Sequence, residues 1–196
     1  DASAMLQPYA MGSYAVKKEG NSLRVSNYIA ASSNFISFFG FEVIVGDFQN
    51  PLSQPNALVL TQSEAERIFG STNPIGKALT FNDSIEMQVT AVIKDPNEFH
   101  YPFSAVFPFE QFVAFTGRTN YRNQLLNNMN NPTYLKLRFA EDKEKVEQRL
   151  TDEVNKLISS NTKFDLTLRP VGNIYFHGLL SFEGAFRHGN LKFIRV

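Results

Sequence analysis

Residues 143–159 carry the pattern that most restricts the fold. Val146, Leu150, Val154, Leu157 and Ile158 recur at helical spacing, while Lys, Glu, Asp and Arg occupy the other face. A helix with one apolar stripe has to lay that stripe on another element, and β-compatible runs stand on either side, Tyr134 to Phe139 and Phe164 to Arg169. The spacing predicts a strand, helix, strand unit with the helix packed on a sheet. The expected fold class is α+β.

A second stretch points the same way. Ala57 to Leu60 is a short apolar strand, followed by Thr61, Gln62, Ser63 and Glu64, the order of a capping box in which hydroxyl and carboxylate satisfy the exposed amides of a helix start. The helix is expected from about Gln62 to Phe69, with Ala65, Ile68 and Phe69 on one face and Gly70 closing it in the left-handed conformation. After the turn Ser71 to Gly76 come a strand at Ala78 to Phe81, a tight Asn82-Asp83 turn, and a strand at Glu86 to Lys94. In the last, Met87, Val89, Ala91 and Ile93 alternate with Gln88, Thr90, Val92 and Lys94, which predicts one mostly buried face.

Elsewhere the signals are local. Tyr14 to Lys18 and Leu23 to Ala30 flank the turn-forming residues Glu19 to Ser22 and read as a hairpin. Ser33 to Phe39 has the spacing of a short buried helix ended by Gly40, and Phe41 to Val45 reads as a returning strand. Phe103 to Phe107 reads as a strand and Phe109 to Phe115 as a short helix. Gly46 to Asn56 and Asp95 to Pro102, each with two prolines, read as crossings between lobes, and the polar, Asn-rich Thr116 to Pro132 as a surface excursion. The expected division is a larger lobe from residues 1–50 and 101–196 with a smaller lobe, 51–100, inserted in it.

Little in the chain suggests chemistry. His100, His177 and His188 are too far apart for a local metal motif, and without cysteine there is neither disulfide nor thiol chemistry. No GxSxG elbow is present. FGSTNPIGK matches neither the phosphate loop nor the dinucleotide turn, although Lys77 follows Gly76. Glu64 and Glu66 at a helix start, and Asp142, Glu144 and Glu147 at another, are accounted for by capping and by solvated helix faces. No catalytic, cofactor or metal residue is expected, and no enzymatic activity. With 19 Lys+Arg against 19 Asp+Glu, nucleic acid is not an expected partner. The 19 phenylalanines fall mainly where a core would be; Tyr9, Met11, Tyr14, Phe112, Phe115 and Tyr121 are the candidates for an exposed aromatic patch. No apolar run reaches the roughly 18 residues that a membrane-spanning helix needs.

The segment NALVLTQSEAERIFGSTNPIGKALTFNDSIEMQVTAVIKDP, Asn56 to Pro96, resembles the middle of the MacB-type periplasmic core domain of ABC-transporter permeases. The matching features are the helix ending in Phe69-Gly70, the turn Asn73, Pro74, Gly76, Lys77, and the strand VTAVIKD. Upstream, SNFISFFGFEVIVGDF resembles the family's helix and following strand, with Gly46 and Asp47 at its end. The likeness runs from about Leu23 to Pro170 and is looser after Pro102. It implies a two-lobed fold: a porter-like α/β sandwich with a split βαβ, plus a small inserted sabre-like β-rich lobe. It also implies a periplasmic domain of an inner-membrane permease that transmits movement mechanically and hinges at the two crossings. The implied partners are the permease's own transmembrane helices, a second permease in a dimer, a cytoplasmic ATPase acting indirectly and an envelope protein. Leu191 to Val196 would approach a transmembrane helix. Another reading of the same domain is a sensor that binds a peptide or antimicrobial.

Overall fold

The computed structural model describes residues 3–7, 14–18, 20–25, 27–71, 73–81, 83–97, 99–111, 132–158 and 163–174. Its strands are β1 (Ser3–Gln7), β2 (Tyr14–Lys18), β3 (Asn21–Val25), β4 (Tyr28–Ala31), β5 (Val43–Gly46), β6 (Ala57–Thr61), β7 (Ala78–Phe81), β8 (Ile85–Ile93), β9 (Ala105–Pro108) and β10 (Thr133–Leu135). The helices are α1 (Phe35–Phe39), α2 (Gln62–Phe69), α3 (Lys143–Leu157) and α4 (Val171–Ile174).

The strands form one mixed sheet in the order β10-β1-β4-β9-β6-β8-β7-β2-β3. The β4–β9 and β6–β8 pairs are parallel and the remaining pairs antiparallel. The long β8 serves two neighbours along one edge: β7 beside residues 85–88 and β5 beside 91–93.

The central strands β4, β6 and β9 are buried throughout because both faces of the sheet are covered. Alternate residues divide between two cores. Tyr28, Ala30, Leu58, Leu60 and Phe107 join Ala65, Ile68 and Phe69 of α2 on one face. Ile29, Ala31, Val59 and Val106 join Phe35 and Ile36 of α1 on the other.

The alternation expected for β8 is interrupted. Leu58 pairs with Val89 but Val59 pairs with Ala91, so Thr90 is an extra residue in the ladder. Met87 and Val89 consequently enter the α2 core, while Ala91 and Ile93 enter the α1 core. All four are buried as expected, but on two faces. The Thr90 hydroxyl, turned out of both cores, donates to the Pro51 carbonyl at 2.7 Å and ties the 46–56 loop to the sheet.

Several further expectations change in the fold. The run Leu23 to Ala30 is two strands, because Asn27 at φ 59 turns the chain; β3 completes the hairpin with β2, while β4 pairs with β1 and β9. Residues 109–111 begin a helix, and the remainder of that expected element, like the excursion 116–131, lies outside the described residues.

The strand expected at Phe164 to Arg169 enters no ladder among the described residues. Its N–H groups are satisfied by α3 instead: Phe164 donates to Asn155 Oδ1 (2.8 Å), Leu166 to Thr151 Oγ1 (2.9 Å) and Leu168 to Glu147 Oε1 (2.6 Å), while Asn155 Nδ2 donates to the Phe164 carbonyl (2.8 Å). Helix residues 147, 151 and 155 are one turn apart, so a single α3 face presents a row of partners to alternate amides of an extended chain. No α3 residue is buried, and Leu157 is 66% exposed, so the predicted burial of its stripe against a sheet is absent among the described residues.

The segment 51–100 contributes β6, β7 and β8 to the same sheet as strands from 1–50 and 101–108. It joins them through β6–β9 and β2–β7, each with two registered pairs, and through β5–β8.

Candidate functional site

The turn between α2 and β7 gathers the residues that the sequence singles out. Thr61 caps α2, its hydroxyl accepting the Glu64 N–H at 3.4 Å. The reciprocal half of the expected box is missing, because the Thr61 N–H donates to the Ser104 carbonyl. Glu64, only 7% exposed, instead accepts two hydrogen bonds from Arg67 (2.7 and 2.8 Å) and a longer one from the Tyr28 hydroxyl (3.3 Å). Burial, reinforced by the adjacent Glu64 carboxylate, holds the Tyr28 phenol well above its ordinary pKa, and the hydrogen bonds that Arg67 donates to Glu64 raise that of Arg67. This carboxylate accepts from a guanidinium of its own helix and from a phenol of β4, and its side chain is no longer explained by capping.

At the other end of α2, Gly70 takes φ 64 and returns its N–H to the Glu66 carbonyl. Phe69 is buried, with the ammonium groups of Lys18 and Lys77 at 5.1 and 5.5 Å from its ring centre. Lys18 also donates to the Ile68 carbonyl, where the helix dipole favours a cation. The exposed Asn73 donates its N–H to Ser71 Oγ, Pro74 is buried, and the Lys77 N–H closes a turn onto the Pro74 carbonyl. Gly76 and Lys77 then exchange backbone hydrogen bonds with Val89, continuing the β7–β8 ladder. The six motif residues thus share one corner of the fold.

That corner forms one wall of an open cleft of about 360 Å³, with Ile75 and Gly76 facing Asp47, Asn50, Pro51 and Gln54 across Val89 and Thr90. The Asp47 carboxylate accepts the N–H groups of Asn50 and Gln49, which hold its pKa below the ordinary value. At the cleft floor Gly46 has φ +104, and a β-carbon there would run into the Thr90 carbonyl and lie 2.7 Å from the Ala91 Cα.

Neither the Glu64–Arg67–Tyr28 network nor the cleft was foreseen. The spacing of Glu64 and Arg67 was visible, but their link to Tyr28, 36 residues earlier, required the sheet. His100 is buried at the opposite core, with Nε2 2.8 Å from the Tyr134 hydroxyl, where burial lowers its pKa to about 4. His177 and His188 lie outside the described residues, as do Tyr9, Met11, Phe112, Phe115, Tyr121 and the 191–196 stretch; of Tyr14 only the backbone is described. Among the described residues no three carboxylate or imidazole groups converge to hold a metal, and no helix is long and apolar enough to cross a membrane.

No known family profile matches the chain, and no curated protein matches it in sequence. Solved structures do. A domain assigned to a permease protein of Porphyromonas gingivalis superposes with a TM-score of 0.68 over 89% of this chain and 81% of that one, at 16% identity. The chain has the fold of an ABC-permease extracytoplasmic domain. The periplasmic region of MacB from Actinobacillus actinomycetemcomitans superposes at 0.54 over 79% of this chain and 68% of that one, at 15% identity. The extracellular domain of the noncanonic ABC-type transporter YknZ from Gram-positive bacteria does so at 0.52, over 78% and 74%, at 17% identity.

Proposed function

We propose that this chain is the extracytoplasmic domain of an ABC-transporter permease, on the periplasmic face of a bacterial inner membrane, and that it transmits movement rather than performing catalysis. The observation carrying this reading is the superposition on a permease domain over 89% of the chain, supported by two further transporter domains of the same fold. In this reading the partners are the permease's own transmembrane helices, a second permease, a cytoplasmic ATPase acting through those helices, and an envelope protein or exported substrate. Porter-like 1–50 plus 101–196 and sabre-like 51–100 would shift relative to each other. Their boundary would run along the two-pair β6–β9 and β2–β7 ladders, with β5–β8 bridging it.

The sensor reading calls for a concave apolar pocket. The cleft beside Gly76 is open and would leave a bound peptide largely in water, so transmission is favoured. The test is the gene on either side of this chain. Apolar segments of about 20 residues before residue 1 and after residue 196 are expected, and finding neither would overturn the proposal.

A further inference from the structure

We propose that the corner around Gly46 is a docking surface for an envelope protein, one that offers an apolar pocket to Phe48 and a lysine or arginine to Asp47. The inference rests on the permease reading above and names the chemistry of one of its partners. Three large apolar side chains reach solvent here: Phe48 is 66% exposed, Ile44 40% and Ile75 39%. Ile44 and Phe48 each lie two residues from Gly46, no more than about 7 Å along the chain. Ile75 sits over Gly46, its Cδ1 2.9 Å from where a β-carbon would be. Val43 and Val45 pack against different cores, and the ladder to β8 slips between them, which leaves Ile44 outside both. Among the described residues β5 pairs with β8 alone, so this uncharged, apolar edge is open to a partner.

The loop that presents Phe48 is tied down on both sides of the ring. The Asp47 N–H donates to the Thr90 carbonyl (3.0 Å), and Asp47 Oδ1 accepts the N–H groups of Gln49 and Asn50 (2.9 Å each). Beyond the turn, the Ser53 N–H donates to the Asn50 carbonyl and Leu52 is buried. A partner that covers the ring therefore has little of this loop left to order, which is the property of a binding anchor. Charge selects the partner. Asp47 is the one charged residue lining the adjacent cleft among the described residues, the two amides keep its carboxylate ionised, and Oδ2 has no partner among them. An anionic lipid surface would be repelled. A second copy is disfavoured as well, because pairing the four residues of β5 antiparallel with another β5 sets Asp47 opposite Glu42. A cation at the rim of an apolar pocket satisfies both the ring and the carboxylate.

Photoreactive benzoylphenylalanine placed at position 48 of the full-length protein, in the bacterium that makes it, tests this. Irradiation should join the chain to a different protein, and the same label at the exposed Glu66 of α2 should not. Asp47→Asn keeps an acceptor for the Gln49 and Asn50 amides but loses the charge, and should lower the yield about two- to fivefold. Should Asp47→Asn fail to fold, the unmodified Asp47 is kept and isolated envelopes are irradiated at rising salt, where about 0.5 M should weaken the adduct as much. Absence of an adduct, an adduct of two copies of this chain, labelling of lipid alone, the same adduct from position 66, or an adduct indifferent to the charge would each overturn the docking surface. Membrane retention is scored separately. A chain recovered as a soluble protein overturns the permease reading, whereas a membrane-held chain without the adduct overturns this inference alone.

Discussion

Two glycines show how differently a positive φ can be required. Gly70 has φ 64 and open space where a β-carbon would go, so a substitution there meets backbone strain alone. Gly70→Val is expected to cost about 1–2 kcal/mol, and Gly70→Asn less, because asparagine tolerates the left-handed region. Gly46 combines a positive φ with direct collision against the β8 backbone. Gly46→Ala should therefore cost more, about 3 kcal/mol, with the order checked by urea unfolding of both variants. The reverse order would mean that β5 yields easily. Arg67→Met leaves the buried Glu64 carboxylate with only the Tyr28 hydroxyl, and about 3 kcal/mol of destabilisation should follow. Arg67→Met/Glu64→Leu should recover part of it, an effect a double-mutant cycle reads out.

At the scale of elements, α3 and the 163–170 segment form a unit joined by side-chain to backbone hydrogen bonds. Asn155 supplies two of them, one in each direction with Phe164. Asn155→Ala should free the segment, costing about 1–3 kcal/mol within that unit and accelerating proteolysis near residue 164. Equal cleavage rates in variant and parent would show that the segment is held by other contacts. The stripe Val146, Leu150, Val154 was plain from its spacing, and α3 forms almost where expected. Its lying beside an extended chain was not, because Asn155, Thr151 and Glu147 are ordinary solvent-face residues until an unpaired backbone comes within reach. For the same reason the Phe164 to Arg169 run, alternating like a strand, pairs with a helix face instead.

Across the whole molecule, stability should be graded by position in the sheet. β6, β8 and β9 lie between two cores, whereas β3 and β10 end the strand order. Native-state exchange should find its slowest amides in β6 and β8 and its fastest at the two ends. Phe35, fully buried and packed against four other phenylalanines, should cost about 3–5 kcal/mol when truncated to alanine. Stability should also depend on pH through His100. Its folded pKa lies below the unfolded value, so between about 4 and 6.5 the unfolded chain binds more protons. Folding is therefore fully supported above pH 6.5 and loses that support as the pH falls towards 4, a decline that urea midpoints taken across this range would measure.

Local features were readable from residues alone: the α2 start at Thr61 and stop at Gly70, the α1 stop at Gly40, the β2–β3 hairpin, and the turn Asn73 to Lys77. Each depends on neighbours within a few positions, where capping, turn chemistry and periodicity act. The division of Met87 and Val89 from Ala91 and Ile93 depends on an extra residue opposite Leu58, and the Glu64–Tyr28 and His100–Tyr134 contacts on segments distant in sequence. Those were decided by tertiary structure. Ladder register and the burial of polar groups follow from which backbones meet, and a one-dimensional pattern of side chains records which face each prefers but not what lies across it.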